Sequence, residues 1–358
     1  MTTATIAKDY SLLGETAKRA VESGLAGAIW YATQIPRKRM KELMARSDGP
    51  AICDTVLWLS LILGFGALGV AGWGSWWAVP AFAVYGMLYG GSSDSRWHES
   101  GHGTAFKTRW MAGALYQVAS FMVLRRPTVW RWSHSRHHTD TIIVGRDPEI
   151  VAPRPPDFLA LALNVLNLKG GASELVGAVR NAFGRLGAEE RTFIPAMERP
   201  KVFREARIWL GIYAVVIGLA LVMQRWLPLM LVGLPSFYGA WFHLFTGLTQ
   251  HVGLAEDVLD HRLNSRTVLM NPVLRFLYWN MNYHVEHHMF PMVPYHRLPE
   301  LHAEIRKDLP YIYPSVWAAY REIVPTLIRQ RRDPAYFIRH ELPAEMAERE
   351  LALMMRAA

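Results

Sequence analysis

The chain alternates long apolar runs with long mixed segments, and the runs come in pairs. Thr55 to Gly72 is almost purely apolar, Trp73-Gly74-Ser75 interrupts, and Trp76 to Gly90 resumes the pattern. The motif returns later as Ile208 to Met223, a Gln224-Arg225-Trp226 break, and Leu227 to Leu248. A bilayer core takes about 20 apolar residues per helix, within about 17 to 25. Each run lies at or slightly below that range, so each helix is expected to continue past the lipid into water. The pattern predicts an all-α integral membrane protein: two helical hairpins, four transmembrane helices, and a helical cap built from the polar remainder. Two shorter runs do not fit a crossing. Met111 to Leu124 ends at Arg125-Arg126-Pro127, and Phe158 to Leu166 is shorter still, so both read as interfacial or re-entrant segments.

The ends stand apart from this pattern. Residues 1–50 place Leu12, Leu13, Ala17, Val21, Leu25 and Trp30 at roughly helical spacing and carry Arg37-Lys38-Arg39. That is the pattern of an amphipathic, interfacial segment facing anionic headgroups. Residues 1–24 mix polar and apolar positions and predict no signal-peptide core. Residues 51–305 form the expected membrane domain. Residues 306–358 form a cytoplasmic helical tail, with Arg329, Arg331, Arg332 and Arg339 on a solvated or headgroup-facing side.

Charge orients the hairpins. Of 39 Lys and Arg, only Arg225 lies in a hairpin turn, which by the positive-inside rule puts the cap in the cytoplasm. The net charge of +9 accompanies no patterned recognition element, so it is read as an attraction to membrane surfaces and not as nucleic-acid binding. Cys53 is the only cysteine, which excludes an intramolecular disulfide and any cysteine-built zinc or iron–sulfur site.

Histidines carry the chemistry. Three clusters stand out, His98-x-x-x-His102, His134-x-x-His137-His138 and His284-x-x-His287-His288, with His251 alone between the last two. Helix positions i, i+3 and i+4 share a face, so each cluster aims its imidazoles at one point. An even number of predicted crossings separates the clusters, so all nine lie on one side of the membrane. Imidazole ligates iron, zinc, copper and nickel, and nine converging rings exceed what one ion takes. Two ions are expected. An all-nitrogen, thiol-free pair beside a membrane favours redox iron over structural zinc, which usually takes four ligands and one ion. Spacing alone leaves two zincs or manganese open. Metal-bound histidines usually give their second ring nitrogen to a carboxylate or carbonyl. The candidate acceptors are Glu99, Asp140, Asp147, Asp257, Asp260 and Glu286. His243, inside the fourth apolar run, is expected to line a pocket or make a hydrogen bond. His261, His296, His302 and His340 read as surface residues.

This set of boxes resembles the membrane fatty acid desaturase and hydroxylase superfamily, and Asn282-Tyr-His-Val-Glu-His-His-Met-Phe-Pro is especially like bacterial acyl desaturases. The resemblance spans roughly residues 50 to 305. It implies four transmembrane helices under a cytoplasmic cap, a bacterial inner-membrane location, and a non-haem di-iron centre. It implies the nine histidines as catalytic ligands: His98, His102, His134, His137, His138, His251, His284, His287 and His288. It also implies O2 as co-substrate, a fatty acyl or free fatty acid substrate, and two electrons from a separate ferredoxin- or cytochrome-type donor with its reductase. Two positions depart from the family. Gly247 stands four residues before His251, where some members carry Asn, and His284 opens the third box where front-end desaturases carry Gln.

The leading expectation is O2-dependent oxidation of an unactivated C–H bond in an acyl or alkyl chain, by desaturation or hydroxylation. The runner-up is oxidative decarboxylation of a free fatty acid to a terminal alkene. A membrane metal-dependent hydrolase or a metal-binding transporter is the reading of a different class. The first would work without O2 or reductant, and the second would need more polar groups in the spans than His243.

Overall fold

The computed structural model describes residues 8–344, so the far end of the expected tail lies outside the described residues. The chain begins with α1 (Glu15–Glu22) and α2 (Arg37–Leu43), then α3 (Asp48–Ala71), α4 (Ala78–Gly86) and α5 (Ser93–His102). A π-helical turn, Met87–Gly91, joins α4 to α5. The cap segment between the hairpins holds α6 (Arg109–Val123), α7 (Pro127–Thr139), α8 (Phe158–Asn164), α9 (Leu168–Ala182) and α10 (Glu190–Phe193). The second hairpin is α11 (Arg199–Met223), α12 (Leu227–Leu231), α13 (Pro235–Tyr238) and α14 (Trp241–His251). After it come α15 (His261–Asn264), β1 (Thr267–Val268), α16 (Pro272–Leu277), α17 (His284–Met289), α18 (Leu298–Ile305), β2 (Ile312–Tyr313) and α19 (Val316–Gln330). The two short strands pair in parallel, Thr267 opposite Ile312.

Two stretches, Arg37–Ala71 and Ala196–Met223, are long and apolar enough to cross a membrane. Their apolar side chains are mostly uncovered: Leu63 and Leu68 on α3, and Leu221 and Val222 on α11, are all exposed. A core helix of a soluble protein would bury these residues. Leaving them bare suits helices whose solvent is lipid.

The returning arms are not single helices, which corrects the expectation of two simple hairpins. Leu227 to Leu248 breaks into α12, α13 and the start of α14. Gly233 takes φ +97°, open to glycine alone at low cost, and Pro235 follows it. The other returning arm stays helical from Ala78 to His102 but widens at the π turn. Single-turn π segments of this kind concentrate at functional sites. The two broken arms meet backbone to backbone. A Cβ on Gly239 would lie 1.7 Å from the Gly86 carbonyl oxygen, and one on Gly90 would lie 2.1 Å from the Pro235 carbonyl oxygen. Small residues permit this approach, as they do between membrane helices generally.

Buried cations then fix the cap. Arg96 on α5, fully buried, donates to the carbonyls of Leu277 at 2.8 Å and Phe276 at 3.1 Å, tying α5 to the end of α16. Arg126, just before α7, bonds Glu174, Glu190 and Asn181. The run Met111 to Leu124 is α6, amphipathic, with Leu115, Tyr116, Ala119 and Val123 buried.

The N-terminal segment lies across the cap. Lys8 bonds Glu256 and Asp257, Tyr10 bonds Glu256, and Trp30 donates to the Thr139 carbonyl at 3.0 Å. Tyr31 and Thr33 both donate to Asp308. Of the apolar positions read from sequence, Ala17 is buried while Leu13 and Val21 are exposed.

Candidate metal centre

The nine histidines come from α5, α7, the end of α14 and α17, and they converge. They form two groups whose nitrogens lie within 4.8 Å of one another: His98, His102, His134, His138 and His287 in one, and His137, His251, His284 and His288 in the other. The two H-x-x-H-H boxes divide in the same way but in opposite senses. On α7 the i, i+4 pair His134 and His138 faces the five-membered group, and His137 faces the four. On α17 the i, i+4 pair His284 and His288 faces the four-membered group, and His287 faces the five. Helical spacing gives the pairs their common face, and the odd member of each box reaches across. The groups abut: the rings of His138 and His288 stack 4.3 Å apart, and those of His137 and His288 lie 4.9 Å apart.

Inside each group the ε nitrogens are crowded. Nε2 of His98 lies 2.7 Å from that of His287, and Nε2 of His134 lies 3.1 Å from those of both His102 and His138. In the other group the separations are 2.9 Å for His284 and His251 and 3.0 Å for His288 and His284. Metal–nitrogen bonds of about 2.0–2.1 Å put two ligands at right angles on one ion roughly 3 Å apart. The crowding therefore fits nitrogens gathered around a cation.

The second ring nitrogens show which tautomer the fold selects. His251 Nδ1 donates to the Asn264 carbonyl at 2.8 Å. Thr141 gives its hydroxyl proton to the His137 carbonyl at 2.7 Å, so its oxygen accepts from His288 Nδ1 at 3.2 Å. His137 Nδ1 lies 2.8 Å from Asp147, and His134 Nδ1 lies 3.0 Å from Glu149. Each of these rings thus turns an unprotonated Nε2 inward. His134 and His137 lie three residues apart on α7, and Asp147 and Glu149 reach them from the turns that follow the helix, two residues apart. The loop between them is set by Asp147, which accepts the N–H of Ile142 at 2.7 Å and of Glu149 at 2.8 Å. Nδ1 of His138, His284 and His287 is buried without a protein partner among the described residues.

Electrostatics favours neutral imidazoles. Burial first, then the neighbouring rings, holds His98, His134, His138, His284, His287 and His288 well below the usual 6.5, and burial puts His102 at about 4. His137 is the exception. Burial lowers it, but the Asp147 carboxylate overrides and raises it. Burial also lifts Glu149 to about 7 and Glu99 to about 8. Neutral imidazole is the ligating form.

Of the six acids expected to accept from histidines, Asp147 does so for a clustered one. Glu99 instead accepts from Thr104 and the Tyr295 N–H, Asp140 from Arg146 and Gly27, Asp257 from Lys8 and Val144, and Asp260 from Arg262. Glu286 bonds Thr267 at 2.5 Å and His302 Nδ1 at 2.5 Å, so it ties α17 to β1 and α18 without reaching the cluster. His302 and His261 are corrections to the surface reading. His302 is held by Glu286, and His261 is buried, stacked on Trp30 at 4.3 Å, with its ring 5.2 Å from that of His288. Glu149 went unread.

A cavity of about 190 Å³ opens beside both groups and touches His98, His134, His137 and His251. His243 lines it too, with Nδ1 donating to the Gly90 carbonyl at 3.2 Å, which pins α14 to the π turn. Gly247 lies on the same wall, and a Cβ there would meet nothing within 4 Å. Against known proteins, the model of the family described as fatty acid desaturase matches residues 74–320, which hold all four histidine elements. No curated protein matches the chain.

Proposed function

The chain belongs to the fatty acid desaturase family, and from that premise we propose that it is a membrane-bound, non-haem di-iron oxidase of an unactivated C–H bond in an acyl or alkyl substrate. Desaturation or hydroxylation is the outcome. The observation that carries the reading is the division of nine inward-facing imidazoles into two abutting groups. His98, His102, His134, His138 and His287 would hold one ion, and His137, His251, His284 and His288 the other. Crowded Nε2 atoms, rings held neutral by burial at every ligand but His137, and no thiol in either group suit iron among the metals that imidazole takes. When bound, the ion pair would supply reduction of O2 by two electrons and removal of hydrogen from carbon.

The chain's own residues do the rest. Asp147, Glu149, Thr141 and the Asn264 carbonyl each hold one ring in the tautomer that leaves Nε2 free, so the site is preorganised before metal arrives. The cavity brings a C–H bond against both groups at once. Two arms long and apolar enough to cross alone, with two composite arms beside them, support a four-crossing topology, and the scarcity of cations in the hairpin turns supports a cytoplasmic site. Electrons would come from a separate donor.

Anaerobic purification with metal analysis tests the core of this, followed by incubation with fatty acids and a ferredoxin system. About two irons per chain, and O2 uptake that needs both donor and substrate, are expected. Zinc without iron, or turnover without O2, would sink the reading.

A further inference from the structure

The cavity beside the histidines is small, and one cation on its wall has donors left over. Its volume of about 190 Å³ is close to the roughly 150 Å³ of an engineered core cavity that holds one benzene. It therefore admits a compact group and not the whole of a long acyl chain. Its walls are mixed. Trp97, Trp130, Ile142, Leu244 and Leu248 give apolar surface, and Asp94, Arg125, Glu149, Arg154 and Glu256 add charge.

Most of those charges are already engaged. Arg154 pairs with Glu256 at 3.2 Å and donates to the Leu254 carbonyl. Glu149 accepts from Ser133 and His134. Arg125 differs. Its Nη1 lies 2.8 Å from Asp94, and its guanidinium sits 4.3 Å from the Trp97 ring centre and 4.4 Å from that of Trp130. Its Nε and Nη2 make no hydrogen bond to protein among the described residues, and the residue lines the cavity. The two indoles stand at 87° to each other, so the guanidinium is wedged between perpendicular rings by cation–π contact while its remaining donors stay available to a carboxylate.

Arg125 is also near the chemistry. The Trp97 indole that it covers lies 5.3 Å from the His134 ring, so a single side chain separates guanidinium from cluster.

We infer that Arg125 is a specificity-determining residue that receives the carboxylate of a short-chain free acid and presents the carbons nearest that carboxylate to the histidine groups. The positional part rests on the oxidase reading above. The binding part does not.

The test uses full-length protein in nanodiscs, metal-free and iron-loaded, titrated calorimetrically with hexanoate, 1-hexanol, hexylammonium and palmitate. Hexanoate is expected to bind metal-free protein at least tenfold more tightly than hexanol or hexylammonium. Arg125→Gln abolishes that preference. Asp94→Asn, which releases the guanidinium from its partner, tightens hexanoate binding several-fold, a gain that a purely structural ion pair would not give. Hexanoate and hexanol binding alike overturns the inference. So does unaltered hexanoate binding by Arg125→Gln, palmitate binding that outcompetes hexanoate, or weaker binding by Asp94→Asn. If Arg125→Gln does not fold, Asp94→Asn decides alone. Iron content and O2 uptake report separately on the oxidase reading, since headgroup preference is read without metal. In loaded enzyme, product mass spectrometry is expected to place oxidation within the first few carbons of the acid.

Discussion

Asp147 accepts the Nδ1 proton of His137 at 2.8 Å and, with the same oxygen, the backbone N–H of Ile142 at 2.7 Å. One carboxylate therefore sets both the ring and the loop that carries it. Replacing it with Asn keeps an acceptor but removes the charge. Losing such a partner typically costs about 10–100-fold in metal affinity. Asp147→Asn is expected to weaken the four-histidine group, and Glu149→Gln the five-histidine group. Chelator competition with metal counting checks this: each variant should drop from about two ions to about one at a chelator level the parent survives. Two tightly held ions in both variants would refute the assignment.

Metal removal should loosen the whole cap. The clusters join α5, α7, α14 and α17, so an ion bound there stabilises the fold by linkage, about 4 kcal/mol at 1,000 times its Kd. Stripping with a chelator is expected to lower the unfolding temperature by several degrees. Re-addition of ferrous iron should restore it. An unchanged melting curve would mean that the groups hold no structural cation.

Two glycines of the second composite arm should respond oppositely. A Cβ at Gly239 would collide with the Gly86 carbonyl, while one at Gly247 meets open space. Gly239→Ala is expected to cost about 1–3 kcal/mol or more, as overpacking does, read as lost yield and a lower unfolding temperature. Gly247→Ala is expected to be neutral or stabilising by up to about 1 kcal/mol, since alanine is the better helix former. It should slow turnover of branched substrates, because its methyl enters the cavity. Equal stability of the two variants would contradict the packing described for the arms.

The topology is testable because the chain has one cysteine. After Cys53→Ser, single cysteines placed at Gly74 and Arg225 should react with an impermeant maleimide from one side of sealed vesicles. One placed at Lys201 should react from the other. Labelling of Gly74 and Arg225 positions from opposite sides would rule out paired hairpins.

Histidine spacing made the site legible because helical periodicity is local: the i, i+4 pairs read from sequence are the pairs that share a group. What spacing could not show is that each box sends its third member to the other group, since that depends on how α7 and α17 face each other. Asp147 was readable and Glu149 was not, because the loop that brings both to α7 is folded by Asp147's own backbone bonds. His261 depends on contacts too distant in sequence to leave a local signal, its stack on Trp30 crossing more than two hundred residues. The break in Leu227 to Leu248 was visible in Gly233, Pro235 and Gly239, but uniform hydropathy masked it.

The strap formed by the N-terminal segment has a consequence for biosynthesis. Tyr31 and Thr33 find their partner in Asp308, 277 and 275 residues later. At roughly 5–20 residues per second of synthesis, the strap waits on the order of 15 to 55 s for its anchor to emerge. Trp30 meets its own partner, His261, after a comparable delay, 231 residues on. Until Asp308 emerges the strap cannot close over the histidine groups.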